Sequence, residues 1–192
     1  MSLGLPTSKV GPAKACRESL NSSHEACIAL GSNLGESTQI LQSAWAQLLK
    51  YPAIVPVALS SPYRSEPVGM DRTHWFVNAA ALVRTTLTPL VLLQALQSIE
   101  ARHGRVRPLQ RTGCQDRTLD LDLLLYDDFV IYSDALIIPH PRMHQRLFVL
   151  EPLAEIAGDW IHPLQGKPVG ELLLDYLKNV NNQQVERFFW PE

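Results

Sequence analysis

Residues 117–126 read RTLDLDLLLY, and this segment decides which fold the sequence predicts. Successive side chains of a strand point to opposite faces of the sheet. The alternation places four leucines on one face, namely Leu119, Leu121, Leu123 and Leu125. Asp120 and Asp122 share the other face, roughly 6 to 7 Å apart. The segment therefore predicts a buried strand that carries two neighbouring carboxylates.

The paired carboxylates have two explanations. Two unpaired anions at this separation repel each other, and the arrangement becomes favourable when cations lie beside them. Carboxylates acting together with substrate phosphates are the usual way in which proteins hold Mg²⁺. A half-buried strand with a solvated polar face explains the same pattern equally well. The neighbouring segments have to decide between the two.

The apolar pattern on both sides of this strand predicts a complete small fold. Strands are predicted at residues 27–30, 54–60, 76–84 and 118–126, and helices at residues 36–50 and 89–103. This is the order β-α-β-β-α-β, the ferredoxin-like α+β fold, in which two helices cover one face of a mostly antiparallel sheet. C-terminal additions follow as a short strand at 128–132 and helical turns at 142–149 and 152–157.

Composition limits the class of protein. The chain has 192 residues, 46% hydrophobic and 19% charged, with a net charge of −2, which predicts one globular domain and no nucleic-acid or membrane partner. Cys16, Cys27 and Cys114 are odd in number and widely spaced, which favours the reducing cytoplasm. Residues 1–24 have no hydrophobic period, so they are predicted to be a flexible leader before a single domain at residues 25–192.

An arginine-rich loop precedes the acidic strand. Residues 104–117, GRVRPLQRTGCQDR, contain four arginines and one acid: Arg105, Arg107, Arg111 and Arg117. Guanidinium groups pair bidentately with phosphate oxygens, although a solvated basic loop would have the same composition. The loop delivers its arginines to the strand that carries the two aspartates. Metal-binding carboxylates beside arginines are what a polyphosphate requires, so the two features together favour a nucleotide site.

A second polar cluster lies at residues 139–157, PHPRMHQRLFVLEPLAEIA. His140 and His144 have the spacing of zinc ligands on a helix, but Pro141 lies between them and no acidic third ligand follows. Phosphate contacts from a histidine and the arginines of this cluster are favoured instead. Phe148 either stacks on a flat ligand or packs in the core.

Six segments together resemble a known family. They are ALGSNLG (29–35), SPYRSEPVG (61–69), FVNAA (76–80), IEARHGRVR (99–107), RTLDLDLLLY (117–126) and PHPRMHQRLFVLEPLAEIA (139–157). They are similar, in the same order over about residues 26–165, to the 6-hydroxymethyl-7,8-dihydropterin pyrophosphokinases of folate biosynthesis. The resemblance implies a ferredoxin-like fold and an enzyme that transfers the β,γ-diphosphate of ATP to the pterin hydroxymethyl group and releases AMP.

The resemblance also implies roles for individual residues. Asp120 and Asp122 hold two Mg²⁺ ions along the triphosphate of the co-substrate ATP, and Arg105 and Arg117 close on the phosphates. The other nucleotide contacts are Gln97, Glu100, Arg107, Arg111, His140 and Arg146. The contacts to the 6-hydroxymethyl-7,8-dihydropterin are Ser65, Pro67, Val68, Asn78 and Phe148. The active protein is expected to be a monomer or a weak homodimer.

The chain departs from the family pattern in the loop. The family usually reads RWGPR before TLDLD, whereas this chain reads RTGCQDR, so that Thr112 replaces an aromatic residue and residues 113–117 are two longer than usual. This predicts a weaker lid over the pterin. It also leaves an alternative function, a catalytically weak paralogue that binds nucleotide or pterin as a regulatory module. A ferredoxin-like fold used only for protein or RNA contact fits poorly with the net charge of −2.

Overall fold

A computed structural model describes residues 23–66, 75–105, 117–179 and 183–191. Its strands are β1 (His24–Ser32), β2 (Ile54–Leu59), β3 (Tyr63–Ser65), β4 (Phe76–Thr85), β5 (Asp120–Tyr126), β6 (Ile131–Tyr132), β7 (Ile137–Ile138), β8 (Ile161–His162), β9 (Lys167–Pro168) and β10 (Val185–Arg187). Its helices are α1 (Ser37–Leu48), α2 (Pro89–Arg102), α3 (Leu147–Ala157) and α4 (Val169–Asn179), and a 3-10 turn, Met143–Gln145, precedes α3. None of these helices is both long and apolar enough to cross a membrane.

The main sheet has the strand order β10-β3-β4-β1-β5. β2 and β3 follow each other along the same edge of β4, opposite residues 81–85 and 76–78 respectively. Every pairing in this sheet is antiparallel. Without β3 and β10 the elements run β-α-β-β-α-β, with β1 between β4 and β5, which confirms the predicted ferredoxin-like α+β fold.

Several additions differ from the prediction. The sequence does not predict β3 and β10, because three-residue strands are too short to show an alternating pattern, nor does it predict α4. Of the strand predicted at 128–132, only Ile131–Tyr132 is extended, paired with β7. The two helical turns predicted at 142–149 and 152–157 correspond to a 3-10 turn and the single helix α3. This helix continues through Pro152 because burial of its apolar face offsets the lost hydrogen bond.

Helices cover both faces of the sheet, whereas the prediction placed two helices on one face. On one side, α1 and α2 bury Leu41 and Leu96 against Ile28 and Val83 of the sheet. On the other side, α3 and α4 bury residues that include Leu150 and Leu172 against Cys27, Ala80 and Leu82. The middle parts of β1 and β4 are therefore buried on both faces, and most of their side chains are small or apolar. The leader predicted at residues 1–24 lies almost wholly outside the described residues and stays a prediction.

A bulge in β5 changes the predicted faces of its leucines. Cys27 of β1 lies opposite Leu125, but the next residue, Ile28, lies opposite Leu123, so Leu124 is an extra residue without a partner. A bulge of this kind reverses the facing of every side chain beyond it. Leu121 and Leu123 face α1 and α2 as predicted, whereas Leu125 lies on the α3 side. The prediction that Leu125 shares the face of the other leucines is therefore wrong.

The ends of α2 agree with the helix predicted at residues 89–103. Thr88 has an extended backbone at the N-cap, and Pro89 takes the first helical position. A backbone N–H at that position would have no partner within the helix, so the N–H that proline lacks is not missed. Leu92, Ala95, Leu96 and Ile99 form the buried stripe. Gly104 follows with a φ of +79°, the left-handed conformation that glycine adopts without steric cost. α2 thus stops where Arg105 enters the arginine-rich loop.

Residues 183–191, called here the C-terminal segment, are attached along the β3 edge. β10 pairs with β3, and the Trp190 indole N–H donates to the carbonyl of Ser60 at 2.9 Å. The Arg187 guanidinium donates to the Ser61 hydroxyl and to the Glu155 carboxylate of α3. The same carboxylate accepts from the hydroxyl of Tyr63 at 2.8 Å. These contacts join the C-terminal segment to both the sheet and α3.

His162 is a buried imidazole near a second histidine. Its Nδ1 accepts the backbone N–H groups of Leu164 and Gln165 at 3.2 and 3.3 Å. The ring of His144 lies 5.8 Å away, centroid to centroid. Burial lowers the pKa of His162, and the neighbouring His144 lowers this pKa further. The folded protein therefore favours neutral His162.

We expect the free energy of unfolding to fall as the pH drops below about 6.5, because the unfolded chain then binds a proton that folded His162 resists. In His162→Asn, the side-chain oxygen replaces Nδ1 as an acceptor but does not titrate. Urea unfolding between pH 7 and pH 5 should show a shallower pH dependence for this variant. An identical pH dependence in both proteins would contradict a lowered pKa for His162.

Candidate active site

The two aspartates lie on β5 beside small residues of β1. Asp120 is paired with Gly31, and Asp122 is paired with Ala29. Gly31 is also paired with Asn78 of β4, so the row Asn78, Gly31, Asp120 crosses the sheet. A Cβ at Gly31 would lie 3.3 Å from the Asn78 side-chain oxygen and 4.0 Å from the Asp120 Cβ. Glycine at this position keeps the space between the amide and the carboxylate open.

Asp120 binds arginines from both ends of the arginine-rich loop. Its two oxygens form ion pairs with Arg105, which follows α2, and with Arg117, which precedes β5. The Asp120 side chain is 20% exposed, so these charges are partly shielded from water. The predicted association of Arg105 and Arg117 with the acidic strand is thus present in the structure. Arg107 and Arg111 lie outside the described residues.

The Glu100 side chain connects α2 to this cluster. Its side chain is 1% exposed, accepts the backbone N–H of Leu121 at 2.8 Å and forms an ion pair with Arg105. A buried carboxylate is tolerated only when hydrogen bonds and a cation compensate its charge, and both are present. Glu100 therefore fixes the distance between α2 and β5. The resemblance placed Glu100 near the nucleotide, but the sequence alone gave no sign of this packing role.

Asn33 is a site residue that the sequence interpretation missed. Its side-chain oxygen accepts the backbone N–H of Arg117 at 2.8 Å, and its own backbone N–H donates to the Arg117 carbonyl at 3.1 Å. This reciprocal pair holds Arg117 against the end of β1. In the sequence, Asn33 appears only as part of the segment ALGSNLG, which contributes to the family resemblance. No sequence signal indicates this role, because it depends on the distant backbone of Arg117.

The negative charge of Asp122 is less fully compensated than that of Asp120. Burial raises its pKa, and the neighbouring Asp120 raises it further, while His140, Arg146 and Arg105 act in the opposite direction. The folded protein therefore holds an anion at Asp122 at a cost in free energy. Such a site favours an added cation.

His140 faces Asp122 as a neutral imidazole. Burial is the main cause of its lowered pKa, and Asp122 opposes the shift. Its Nδ1 accepts the backbone N–H of Arg142 at 3.3 Å, which leaves the proton on Nε2. His140 can therefore donate one hydrogen bond from Nε2 without carrying a charge.

A cavity of about 280 Å³ lies next to Asp122. Its walls include Gln97 of α2, Arg105, Asp122 and His140, four residues that the sequence interpretation assigned to the nucleotide side of the site. The remaining walls are Leu93, Leu121, Leu123, Pro141 and residues 133–137. The segment 133–137 was missed, because nothing in its sequence, SDALI, distinguishes it from an ordinary turn. The volume is close to the lower end of the usual range for small-molecule pockets, about 300 Å³.

The described residues that are predicted to contact the pterin lie in two places, on the neighbouring strands β3 and β4 and on α3. Asn78 is 5% exposed and donates from its amide nitrogen to the hydroxyl of Ser65, itself 1% exposed, at 2.9 Å. Phe148 is half-buried on α3, and the Arg146 guanidinium lies 5.6 Å from its ring centroid. Pro67 and Val68 lie outside the described residues. Within the described ranges, no group of three or more histidine, cysteine or acidic side chains is arranged to hold a metal ion.

Comparison with known proteins identifies the family. The profile of the 7,8-dihydro-6-hydroxymethylpterin-pyrophosphokinase (HPPK) family matches residues 27–158. The chain belongs to the HPPK family. This confirms the resemblance inferred from the six segments.

Two relatives of known name illustrate the similarity. The 2-amino-4-hydroxy-6-hydroxymethyldihydropteridine pyrophosphokinase of Synechocystis sp. is 43% identical over 150 residues, which cover 78% of this chain and 75% of the relative. The protein of the same name from Bacillus subtilis is 46% identical over 131 residues, covering 68% and 77% of the two chains. The Plasmodium falciparum HPPK-DHPS crystal structure with STZ-DHP superposes with a TM-score of 0.67 at 15% identity. It covers 85% of this chain and 46% of the longer Plasmodium chain, and at that identity it shows the fold alone.

Of the eleven predicted site residues that the structure of this HPPK family member describes, seven lie together. Asp120, Arg105, Arg117 and Glu100 form one ion-paired cluster, while Asp122, His140 and Gln97 line the adjoining cavity. Asn78 and Ser65 form a separate hydrogen-bonded pair across Gly31. The role of each residue toward ATP or pterin stays a prediction.

We expect Asp122→Asn to raise the free energy of unfolding of the ligand-free protein at pH 7. Because its pKa is raised, Asp122 holds its proton more tightly in the folded protein than in the unfolded chain. The free energy of unfolding therefore falls as the pH rises from the ordinary pKa of 3.8 through the raised pKa of the folded state. An uncharged asparagine avoids that loss. Urea unfolding in the presence of a chelator measures the difference, which should vanish below pH 3.8.

Asp128→Asn serves as the matched control. Asp128 is an exposed aspartate that follows β5, and its substitution should change the free energy of unfolding by less than about 0.5 kcal/mol. A lower stability of Asp122→Asn at pH 7 would show that the Asp122 carboxylate stabilises the fold and would contradict the raised pKa.

Proposed function

We propose that this protein is an ATP-dependent pyrophosphokinase of folate biosynthesis. It transfers the β,γ-diphosphate of ATP to the hydroxymethyl group of 6-hydroxymethyl-7,8-dihydropterin and releases AMP. The observation that carries the proposal is the convergence of Arg105 and Arg117 on Asp120, beside Asp122, in a chain of the HPPK family. Cations and carboxylates in this arrangement suit the charge distribution of a metal-bound triphosphate.

The two substrates are assigned to opposite sides of the aspartates. We place ATP along the cavity formed by Gln97, Asp122 and His140, with its phosphates toward Arg105. The pterin lies on the other side, between Asn78 and Phe148, since an amide reads a heterocycle edge and an aromatic ring stacks on its face. This arrangement brings the hydroxymethyl group and the triphosphate together above Asp120 and Asp122. Positioning of this kind supplies much of the rate enhancement of a bimolecular transfer.

The carboxylates fit the two Mg²⁺ ions that the family resemblance implies. Asp120 and Asp122 offer hard oxygen ligands, and the raised pKa of Asp122 reflects negative charge that the described residues do not fully compensate. Two protein carboxylates are sufficient for Mg²⁺, because it takes its remaining ligands from phosphate oxygens and water. When bound, the ions neutralise phosphate charge and favour loss of the substrate hydroxyl proton.

The arginines change partners when the substrate binds. In the structure, Arg105 and Arg117 neutralise Asp120. The arriving triphosphate offers them oxygens with more negative charge, and bidentate pairing with phosphate is a strong guanidinium interaction. Their transfer to the phosphates leaves Asp120 free as a ligand. His140 adds a hydrogen bond from Nε2 to a phosphate oxygen without adding a charge.

The location and assembly of the protein are part of the same proposal. We propose that it acts as a monomer in the cytoplasm, without nucleic-acid or membrane partners. The thiol of Cys27 is buried and burial raises its pKa, which keeps it protonated and unreactive. Light scattering of the purified protein tests the monomer, and a mass twice that of the 21.5 kDa chain would overturn it.

The reaction is tested by the nucleotide product. The protein is incubated with ATP, Mg²⁺ and 6-hydroxymethyl-7,8-dihydropterin, and AMP and ADP are separated by chromatography. We expect AMP to form only when the pterin is present, because diphosphate transfer leaves the α-phosphate on the adenosine. ATP binding without AMP formation would instead support a regulatory module that binds nucleotide or pterin.

The same assay tests the carboxylates. Asp122→Asn should lower the rate of AMP formation by about 100-fold or more, since a neutral amide cannot replace a carboxylate that positions charge in the transition state. Asp128→Asn should retain the wild-type rate, because Asp128 is exposed and lies outside the site. A wild-type rate for Asp122→Asn would remove Asp122 from the proposed mechanism.

A further inference from the structure

The C-terminal segment lies outside the family match at residues 27–158, yet it contacts both sides of the proposed pterin site. One contact is made by β10 at the Asn78 side. The other is made by Gln183 at the Phe148 side. The two contacts are made by Gln183 and Val185, which lie only two positions apart along the chain.

On the Asn78 side, β10 completes the edge of the sheet. Val185 lies opposite Ser65, whose hydroxyl accepts the hydrogen bond from Asn78. The backbone N–H of Phe188 donates to the carbonyl of Pro62 at 3.0 Å, which extends the pairing at the start of β3. A three-residue strand with an unpaired outer edge would be poorly held. β10 therefore keeps Ser65, and through it Asn78, in place.

On the Phe148 side, Gln183 satisfies the beginning of α3. The first N–H groups of a helix have no partner within the helix. Arg146, at the N-cap, makes no side-chain cap, and the N–H of Leu147 donates instead to the Gln183 side-chain oxygen at 3.0 Å. The hydroxyl of Tyr176 on α4 donates to the same oxygen at 3.1 Å. Gln183 thus supplies a cap from a distant part of the chain, one residue before Phe148.

The C-terminal segment does not depend on Gln183 for its attachment. Trp190 donates to the Ser60 carbonyl at 2.9 Å, and Arg187 binds the Glu155 carboxylate at 3.1 Å. The Gln42 amide nitrogen of α1 donates to the carbonyl of Pro191 at 3.2 Å. Replacing the Gln183 amide should therefore remove the cap of α3 while the segment stays on the sheet.

We propose that Gln183 is a positioning residue for the pterin. It fixes the first turn of α3 so that the ring of Phe148 lies opposite Asn78, and the pterin binds without first ordering that turn. The inference rests on the proposed function, since it assumes that Asn78 and Phe148 contact the pterin. The carbonyl of Arg146 accepts the N–H groups of Val149 and Leu150 at 3.1 and 3.0 Å, so these helical bonds stay in place and the lost cap acts on the N–H of Leu147, directly before Phe148. The effect should therefore fall on pterin binding more than on ATP binding.

The experiment compares Gln183→Leu with the wild-type chain. Leucine has a similar volume but accepts no hydrogen bond, so the N–H of Leu147 loses its partner. We expect the KM for the dihydropterin to rise about fivefold, the effect of losing a helix cap. The KM for ATP and kcat should each stay within about twofold of wild type. Fluorescence titration of the pterin in the presence of a non-hydrolysable ATP analogue should give the same ratio for the dissociation constants.

Two further variants separate positioning from general damage. Gln183→Glu keeps an acceptor at the helix N-terminus, where a negative charge is favourable, and should restore the wild-type KM for the pterin. Gln42→Leu is the matched control, since it also removes one glutamine hydrogen bond to the C-terminal segment but lies away from α3. It should leave both KM values unchanged.

The outcomes distinguish the two proposals. A wild-type protein that turns over pterin, with an unchanged pterin KM in Gln183→Leu, would overturn this inference alone. Equal increases in both KM values, or no recovery in Gln183→Glu, would indicate a general structural role and would overturn it as well. A wild-type protein that neither binds the pterin nor forms AMP would overturn the proposed function and this inference with it.

Discussion

The balance of charge around Asp120 is the constraint on which the rest of the site depends. The carboxylates of Glu100, Asp120 and Asp122 lie close together in a region largely closed to water. Among the described residues, only Arg105 and Arg117 form ion pairs with them. The two arginines compensate Glu100 and Asp120, which leaves Asp122 as the charge that the fold tolerates least. A site in this condition is stable enough to fold and also predisposed to accept further positive charge. The position of α2, the start of β5 and the two ends of the arginine-rich loop all follow from these few contacts.

The core of the fold could be predicted from sequence because its signals are local. The stripe of α2, its Thr88-Pro89 start and its glycine stop are all contained within seventeen positions, residues 88–104. The alternation in β5 is equally local up to Leu123. What escaped prediction depends on distant partners. The bulge at Leu124 is visible only in the register against β1. β3 is a strand because it pairs with β4, and β10 is a strand because it pairs with β3.

The site shows the same division. The charged residues were found because acids and arginines are conspicuous in an apolar context and because the resemblance assigned them roles. Asn33 and Gln183 were missed, since a single amide has no recognisable pattern and its function lies in which backbone group it meets. The packing role of Glu100 was missed for a related reason: burial to 1% exposure is a property of α2 docked on β5, and α2 alone does not reveal it.

The attachment of Arg105 and Arg117 to one carboxylate also bears on how the length of the loop between them can vary. Both ends of the intervening stretch, residues 106–116, are held at a single point by Asp120. The entropy of closing a chain between fixed ends depends only on the logarithm of its length, so lengthening it from nine to eleven residues changes the free energy by about 0.2 kcal/mol. Insertions there are therefore nearly neutral for stability. The sequence between these two arginines, including the threonine at position 112, is therefore free to change while the two ion pairs to Asp120 are kept.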